Sequence, residues 1–336
     1  MIRPETVKRI ARECGFDLAG IAPADPPEDF ARYQDWVAAG MAGAMGYLTG
    51  RRGAIRQDVR NLLPGARSVI CVGKLYNQTR LEGSAIVSRY ALGADYHEVM
   101  RAALEKMAAR LGEIETFASK ICVDTAPVLE RSFARRAGLG WIGKNTCLIN
   151  EPLGSWFFLG EILTTLDLEP DQPPRDRCGT CSRCIEACPT QAIVPSGDGW
   201  RIDARLCISY FTIELKGSIP EEHRAAMGAH VFGCDICQDV CPWNWRAPVT
   251  DAFPPVHAPL DLEKCARLSE AEFRWMFRDS AMARPKYAGF LRNVAVAMGN
   301  SGLAKYREPL EHLSRHEDAT VREHARWGLE ALSRRG

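Results

Sequence analysis

No stretch of the chain approaches the run of about 18 apolar residues that a membrane-spanning helix requires, and residues 1–20 hold neither an apolar core nor a small-residue cleavage site. Neither a membrane span nor an export signal is expected, and the cytoplasm is the expected compartment. Disulfides persist mainly in oxidising compartments, so a disulfide framework is disfavoured as well. An excess of one charge is also missing: 43 Lys and Arg stand against 42 Asp and Glu, a formal net charge of +1. A polyanion-binding face would have to come from local clusters. The dinucleotide fingerprint lacks its context, since Gly138, Gly140 and Gly143 fit G-x-G-x-x-G but follow a basic segment rather than a strand.

What the chain does hold is cysteine, thirteen in 336 residues, with enough hydrophobic content (46%) for a full core and about two or three domains. Eight of the thirteen fall into one pattern. It opens Cys178-Gly-Thr-Cys181-Ser-Arg-Cys184-Ile-Glu-Ala-Cys188-Pro189 and closes Cys234-Asp-Ile-Cys237-Gln-Asp-Val-Cys241-Pro242, with Cys207 between. In ferredoxins with the C-x2-C-x2-C-x3-C-P run, three thiolates hold one cubane cluster and the fourth holds its neighbour. That rule groups Cys178, Cys181 and Cys184 with Cys241, and Cys188 with Cys234 and Cys237. Cys207 is the remaining cysteine within the stretch and completes the second set, giving two 4Fe-4S clusters. C-x2-C pairs also read as structural zinc, but a zinc ribbon has no use for x3-C-P twice over. Clusters of this kind carry single electrons, so redox chemistry is expected. Cys14, Cys71, Cys122, Cys147 and Cys265 lie in apolar or amphipathic segments and read as buried free thiols.

Pro4 with Val7, Ile10, Ala11 and Cys14, then Gly15, reads as a short amphipathic helix, and residues 16–22 as a strand. The apolar runs 69–72 and 121–123 suit buried strands. Between them Val99, Met100, Ala103, Leu104, Met107 and Leu111 mark one helical face. Strand, helix, strand suggests an α/β (α+β) domain over residues 1–165. A ferredoxin-like double-cluster domain follows over 166–248, and a helical domain over 249–336. There, helices at 287–298 and 321–332, with a third between, look like HEAT-type pairs or an ordinary helical cap.

Asp124 follows the strand at 121–123, where a carboxylate is placed for work or serves as a turn former. Gly138, Gly140 and Gly143 around Trp141 would let the backbone approach a bulky ligand. Three basic clusters lie at residues 51–67, 131–144 and 274–292, the last holding Arg274, Arg278, Arg284, Lys286 and Arg292 against Asp279, and together they suggest a polyanion face.

Val123-Asp-Thr-Ala-Pro-Val-Leu-Glu-Arg131, Gly140-Trp-Ile-Gly-Lys-Asn145, Gly154-Ser-Trp-Phe-Phe-Leu-Gly-Glu161, the cysteine pattern, Cys207-Ile-Ser-Tyr-Phe-Thr-Ile-Glu214 and Phe232-Gly-Cys-Asp-Ile-Cys-Gln-Asp-Val-Cys-Pro-Trp-Asn244 together resemble the epoxyqueuosine reductase family. The resemblance covers essentially the whole chain. It implies reduction of epoxyqueuosine, at the wobble position of tRNA, to queuosine by cobalamin supplied with electrons by two cubane clusters. It implies Asp124 as the proton donor, with a carboxyl raised by burial, and the eight cysteines as ligands. Arg56, Trp141, Asn145, Leu148 and Ser209 fall in segments expected near the corrin, and Arg284 and Lys286 are the candidates for tRNA contact. The segment 195–199 departs from the family as a slightly longer turn. Asp95-Tyr-His97 starts like D-x-H-x-x-G, but Met100 replaces the glycine. His97 is therefore taken as structural, and cobalamin is expected base-off. A monomer and an external low-potential electron donor complete the expectation. The alternatives are a reductive dehalogenase, a group usually exported with a twin-arginine leader that is not seen here, and a non-catalytic electron-transfer subunit.

Overall fold

The computed structural model describes residues 2–79, 82–197 and 199–335. Helix α1 (Pro4–Glu13) starts on its proline and buries Val7, Ile10 and Ala11. Strand β1 (Leu18–Pro23) follows, and two helices, α2 (Asp29–Ala38) and α3 (Gly50–Ile55), separate it from β2 (Ser68–Leu75). After the two-residue β3 (Ile86–Val87), Asp95 caps α4 (Tyr96–Gly112) by accepting the His97 N–H. Then come β4 (Ser119–Cys122), α5 (Glu130–Arg136), the short hairpin β5 (Trp141–Ile142) and β6 (Leu148–Ile149), and β7 (Phe157–Thr164).

Four of these strands form one sheet in the order β1-β2-β7-β4, antiparallel at every pairing. The strand–helix–strand reading therefore resolves to α+β rather than to a parallel sheet, and the rule for strand carboxyl ends in parallel sheets does not apply to Asp124. The alternation of side chains sorts the sheet into two faces. Ile21, Ile70, Val72 and Ile162 pack with α1 and with Met100, Leu104 and Met107 of α4 on one face. Val69, Cys71, Cys122 and Leu163 pack with Phe133 and Ala134 of α5 on the other.

The cysteine-rich segment adds α6 (Arg183–Glu186), a hairpin of β8 (Ile193–Ser196) and β9 (Gly199–Ile202), α7 (Ile208–Ile213), α8 (Glu221–Arg224), β10 (His230–Phe232) and α9 (Ile236–Asp239). The longer turn expected at 195–199 is the tip of that hairpin, with Asp198 outside the described residues. Strand β10 pairs in parallel with the distant β3.

Five helices close the chain: α10 (Leu262–Ala266), α11 (Glu270–Met276), α12 (Lys286–Ser301), α13 (Arg307–Leu313) and α14 (Ala319–Arg335). Their core also takes in Ala85, Val87, Ala91, Leu92, Val231 and Phe232, so the helices share a core with segments far back in the chain. The helix expected over 287–298 runs on through Ser301 and ends on Gly302 in the left-handed region (φ 69°). Gly299 is helical because α14 crosses there. A Cβ on Gly299 would lie 2.6 Å from the Cα of Gly328.

Arg292 does not belong to a polyanion face. It is 1% exposed, and its guanidinium donates to the carbonyls of Leu215 (2.8 Å), Gly217 (2.7 Å) and Phe211. It thus ties α12 to the end of α7, and burial lowers its pKa to about 10. Removing it leaves three carbonyls without their donor. Arg292→Ala is expected to cost roughly 3–5 kcal/mol, read as a lowered denaturation midpoint, because each lost bond from a charged donor is worth about 1.5–3 kcal/mol before relaxation.

Candidate active site

Asp124 leaves the end of β4 with φ 49°, a left-handed backbone that a non-glycine residue rarely adopts. Its N–H donates to Glu130 Oε1 at 2.6 Å, and Arg52 donates to the carbonyl of the next residue, Thr125, at 2.6 Å. These bonds direct the Asp124 carboxylate toward the first turn of α4. There His97 Nε2 meets Oδ2 at 3.1 Å, while His97 Nδ1 meets Asp95 Oδ1 at 2.7 Å. Tyr96 bonds the Asp124 carboxyl as well, and its ring stacks on Phe158 at 4.2 Å between centroids.

Burial alone would raise the Asp124 carboxyl, but the hydrogen bond and charge of His97, then Arg284 and Tyr96, outweigh it and hold the carboxyl below its usual range. His97 moves the other way: the bond to Asp124 outweighs burial and raises the imidazole above its ordinary value. The expectation of a carboxyl raised by burial is thus overturned, because the histidine taken as structural is its partner. The proton shared by the pair is favoured on the imidazole side.

Opposite this pair stand Tyr47, Glu214 and Arg284. Arg284 bonds Glu214 Oε1 at 2.9 Å and lies over the Tyr47 ring, 5.4 Å from its centroid. Burial first, and then the Glu214 charge, pushes the Tyr47 hydroxyl up to about 12. Arg56 is buried and donates to the carbonyls of Arg52 (2.9 Å) and Tyr47 (3.3 Å), so it braces this wall. Arg284, although 41% exposed, is accordingly part of the site. Lys286, two residues on, is exposed with φ 63°.

The eight cysteines gather in two groups. Cys184 lies among Cys178, Cys241 and Cys181. Cys188, Cys207 and Cys234 lie together, and Cys237 adjoins Cys207 and Cys234. Backbone N–H groups are aimed at several of the sulfurs: Ala192 at Cys188 (3.3 Å), Ser209 and Tyr210 at Cys207, Ile236 at Cys234 and Trp243 at Cys241. Such donors stabilise thiolates, and a set of eight fits two cubanes. Among the described residues no three Cys, His, Asp or Glu side chains converge on the place of a single ion.

Three of the residues expected at the corrin, Trp141, Asn145 and Ser209, flank the thiol groups, whereas Leu148 packs with Phe133 and Ala134. Trp141 meets Trp243 edge-on at 5.0 Å and packs with Cys241 and Cys178. Its buried indole N–H finds no acceptor among the described residues, as suits a donor facing a bound group. Asn145 donates to the Cys237 carbonyl (3.3 Å) and accepts the Cys147 N–H (3.2 Å). Leu148 is buried in β6, and Ser209 turns its N–H to Cys207. The three glycines approach the chain itself and not a ligand: a Cβ on Gly140 would lie 2.2 Å from the Ile149 carbonyl oxygen, and one on Gly138 would lie 3.0 Å from that of Gln172. Glu130, Glu214, Tyr47 and Tyr96 are the site residues that sequence reasoning misses. Glu214 closes one of the recognised segments, and that was its available signal.

A model of the 4Fe-4S double cluster binding domain matches residues 177–244, so the class is that of an iron–sulfur oxidoreductase. Residues 56–125 match the model described as "Epoxyqueuosine reductase QueG, DUF1730". An epoxyqueuosine reductase of Xanthomonas campestris is 44% identical over 96% of this chain and 94% of its own. A crystal structure of epoxyqueuosine reductase with an epoxyqueuosine-modified tRNA-Tyr stem loop superposes with a TM-score of 0.88, at 28% identity over 98% of this chain and 89% of that one. The Bacillus subtilis enzyme, solved with its aspartate-bearing catalytic loop swung out of the active site, gives 0.82 at 26% identity and covers 98% of both chains. The chain belongs to the epoxyqueuosine reductase family.

Proposed function

We propose that this chain reduces the epoxide of epoxyqueuosine, at the wobble position of tRNA, to the alkene of queuosine, the last step of queuosine synthesis. The observation that carries the reading is the Asp124–His97 pair, in which the imidazole sits behind an Asp124 side chain that is 42% exposed and open to an incoming nucleoside. Removing an epoxide oxygen takes two electrons and two protons and releases water. An alkoxide is a poor leaving group, so a proton must meet the oxygen as its bonds to carbon break. His97 supplies that proton through Asp124, and Arg284 steadies the carboxylate once the proton has gone.

Cobalamin with its lower base detached would supply the low-potential metal centre, and two 4Fe-4S clusters would feed it electrons from an external donor. Trp141, Asn145, Leu148 and Ser209 are the proposed contacts between the two, and Arg56 acts through Tyr47. The Asp124 loop is proposed to be the counterpart of the loop that swings out in the Bacillus subtilis relative. Helices α10 to α14 would form a HEAT-like tRNA platform, and the protein is proposed to act as a cytoplasmic monomer. Incubating the anaerobically reduced protein with an epoxyqueuosine-bearing tRNA stem loop should yield queuosine on nucleoside analysis. Unchanged epoxyqueuosine with full cofactor content would overturn the reading.

Lys286 is the better test of tRNA contact, because reversing Arg284 would break its pair with Glu214 beside Asp124. Lys286→Glu is expected to weaken stem-loop binding and lower the slope of affinity against salt by about one, with bound iron and cobalamin unchanged. An unaltered slope in a binding titration would return Lys286 to the solvated surface.

A further inference from the structure

Glu161 is the anomaly of the sheet. It sits in β7 between Cys71 of β2 and Cys122 of β4, at the centre of an apolar strand, and is 0% exposed. Among the described residues no N–H or hydroxyl donor reaches either of its carboxyl oxygens. The polar group it meets is another carboxyl, that of Glu130 at the start of α5. Glu130 in turn accepts the Asp124 N–H at 2.6 Å.

Two touching carboxylates in a dry pocket cannot both be ionised, since each charge loses its water and repels the other. Among the described residues the offsets fall on Glu130, which has the Asp124 N–H and the charge of Arg131, and not on Glu161. Cys71 and Cys122 are themselves pushed upward by burial and stay neutral thiols, and Arg131, the cation nearest Glu130, spends its guanidinium on the Thr146 carbonyl. One proton must therefore lie between the two acids. The fully buried Glu161 is the natural holder, because Glu130 already accepts an N–H, and that bond favours its ionised form. Burial raises both carboxyls, Glu130 to about 7 and Glu161 well above its usual range, an order that leaves the proton on Glu161.

We propose that Glu161, as a buried un-ionised acid, donates to Glu130, and that the Glu130 carboxylate so fixed latches the Asp124 loop in its working position. Both are positioning residues, since they act through the Asp124 backbone. The left-handed backbone of Asp124 is strained, and the charge-assisted bond at its N–H acts with the Arg52 bond to the Thr125 carbonyl to keep the carboxylate against His97. The proposal rests on the reading of Asp124 as the acid, but its test does not.

Two measurements on the intact, cofactor-loaded protein decide the matter. Infrared difference spectra at neutral pH should carry the carbonyl stretch of an un-ionised carboxylic acid that disappears in Glu161→Gln and survives in Asp124→Asn. Hydrogen exchange resolved to the Asp124 amide should be about tenfold faster in Glu130→Ala, as expected for loss of one hydrogen bond, while the amides of β2 and β7 keep their protection. If Glu130→Ala does not fold, Glu130→Gln keeps the volume and should show a smaller acceleration at the same amide. Glu161→Gln can still donate to Glu130 and should keep kcat within about threefold, the scale of one neutral hydrogen bond. Failure to find the Glu161-dependent carbonyl band, or unchanged Asp124 exchange in both Glu130 variants, would overturn the latch. Neither readout needs substrate, so a wild-type protein inactive on epoxyqueuosine would defeat the functional reading and leave the latch to be judged on its own.

Discussion

Asp124→Asn is expected to reduce epoxyqueuosine turnover by about 10²–10⁴-fold, the usual worth of a general acid, while iron and cobalamin contents stay at wild-type values. Asparagine keeps the volume, the backbone bond to Glu130 and an oxygen facing His97 Nε2. It loses the charge that raises the imidazole, so the variant lacks both the carboxylate and the proton stored beside it. The pH dependence follows from the directions of the two shifts. The raised His97 contributes an interaction that is complete below its ordinary pKa of about 6.5 and is lost as pH rises through its higher folded value. The lowered Asp124 contributes one that is complete above its ordinary value of about 3.9 and is lost as pH falls through its lower folded value. Wild-type turnover should therefore fall as pH rises through the His97 value, which lies above its ordinary 6.5, and the Asn variant should lose that limb. Near wild-type turnover in Asp124→Asn with full cofactor content would make the aspartate a turn former and send the search for the acid elsewhere.

The features legible in the sequence are those set by local spacing. The cysteine pattern could be read because cluster ligation constrains residues three or four apart, and α4 because its apolar face repeats with the helical period. What escaped depends on contacts between distant segments. Arg292 counts as a surface charge along the chain, but its partners are carbonyls at 211, 215 and 217. Gly140 looks like a ligand cradle until Ile149 is seen folded back on it. His97 was set aside because Met100 breaks a cobalt-binding motif, and that motif has no bearing on a bond to Asp124, 27 residues on. Glu161 did leave a local trace, a carboxyl in the run Phe157-Phe-Leu-Gly-Glu-Ile-Leu163 that an ordinary buried strand would not tolerate.

Cys207→Ser should lower bound iron from about eight to about four per chain and abolish reduction of epoxyqueuosine, because two cubanes need eight thiolates and a serine hydroxyl does not replace one. Cys207 lies outside both ferredoxin-like runs, yet the start of α7 brings its sulfur beside Cys188 and Cys234 and turns the N–H groups of Ser209 and Tyr210 toward it. Burial raises its thiol, and these donors work against that rise, as they would for a ligand. The spectroscopic signal of the group formed by Cys178, Cys181, Cys184 and Cys241 should survive in the variant. Cys147 supplies the control. Read from sequence as a free thiol, it is one, and its hydrogen bond with Cys237 holds its pKa down. If iron stays near eight in Cys207→Ser and falls in Cys147→Ser, then Cys147 is the eighth ligand. If iron falls in Cys207→Ser alone, Cys147 is a hydrogen-bonding neighbour of the second cluster and Cys207 closes the set.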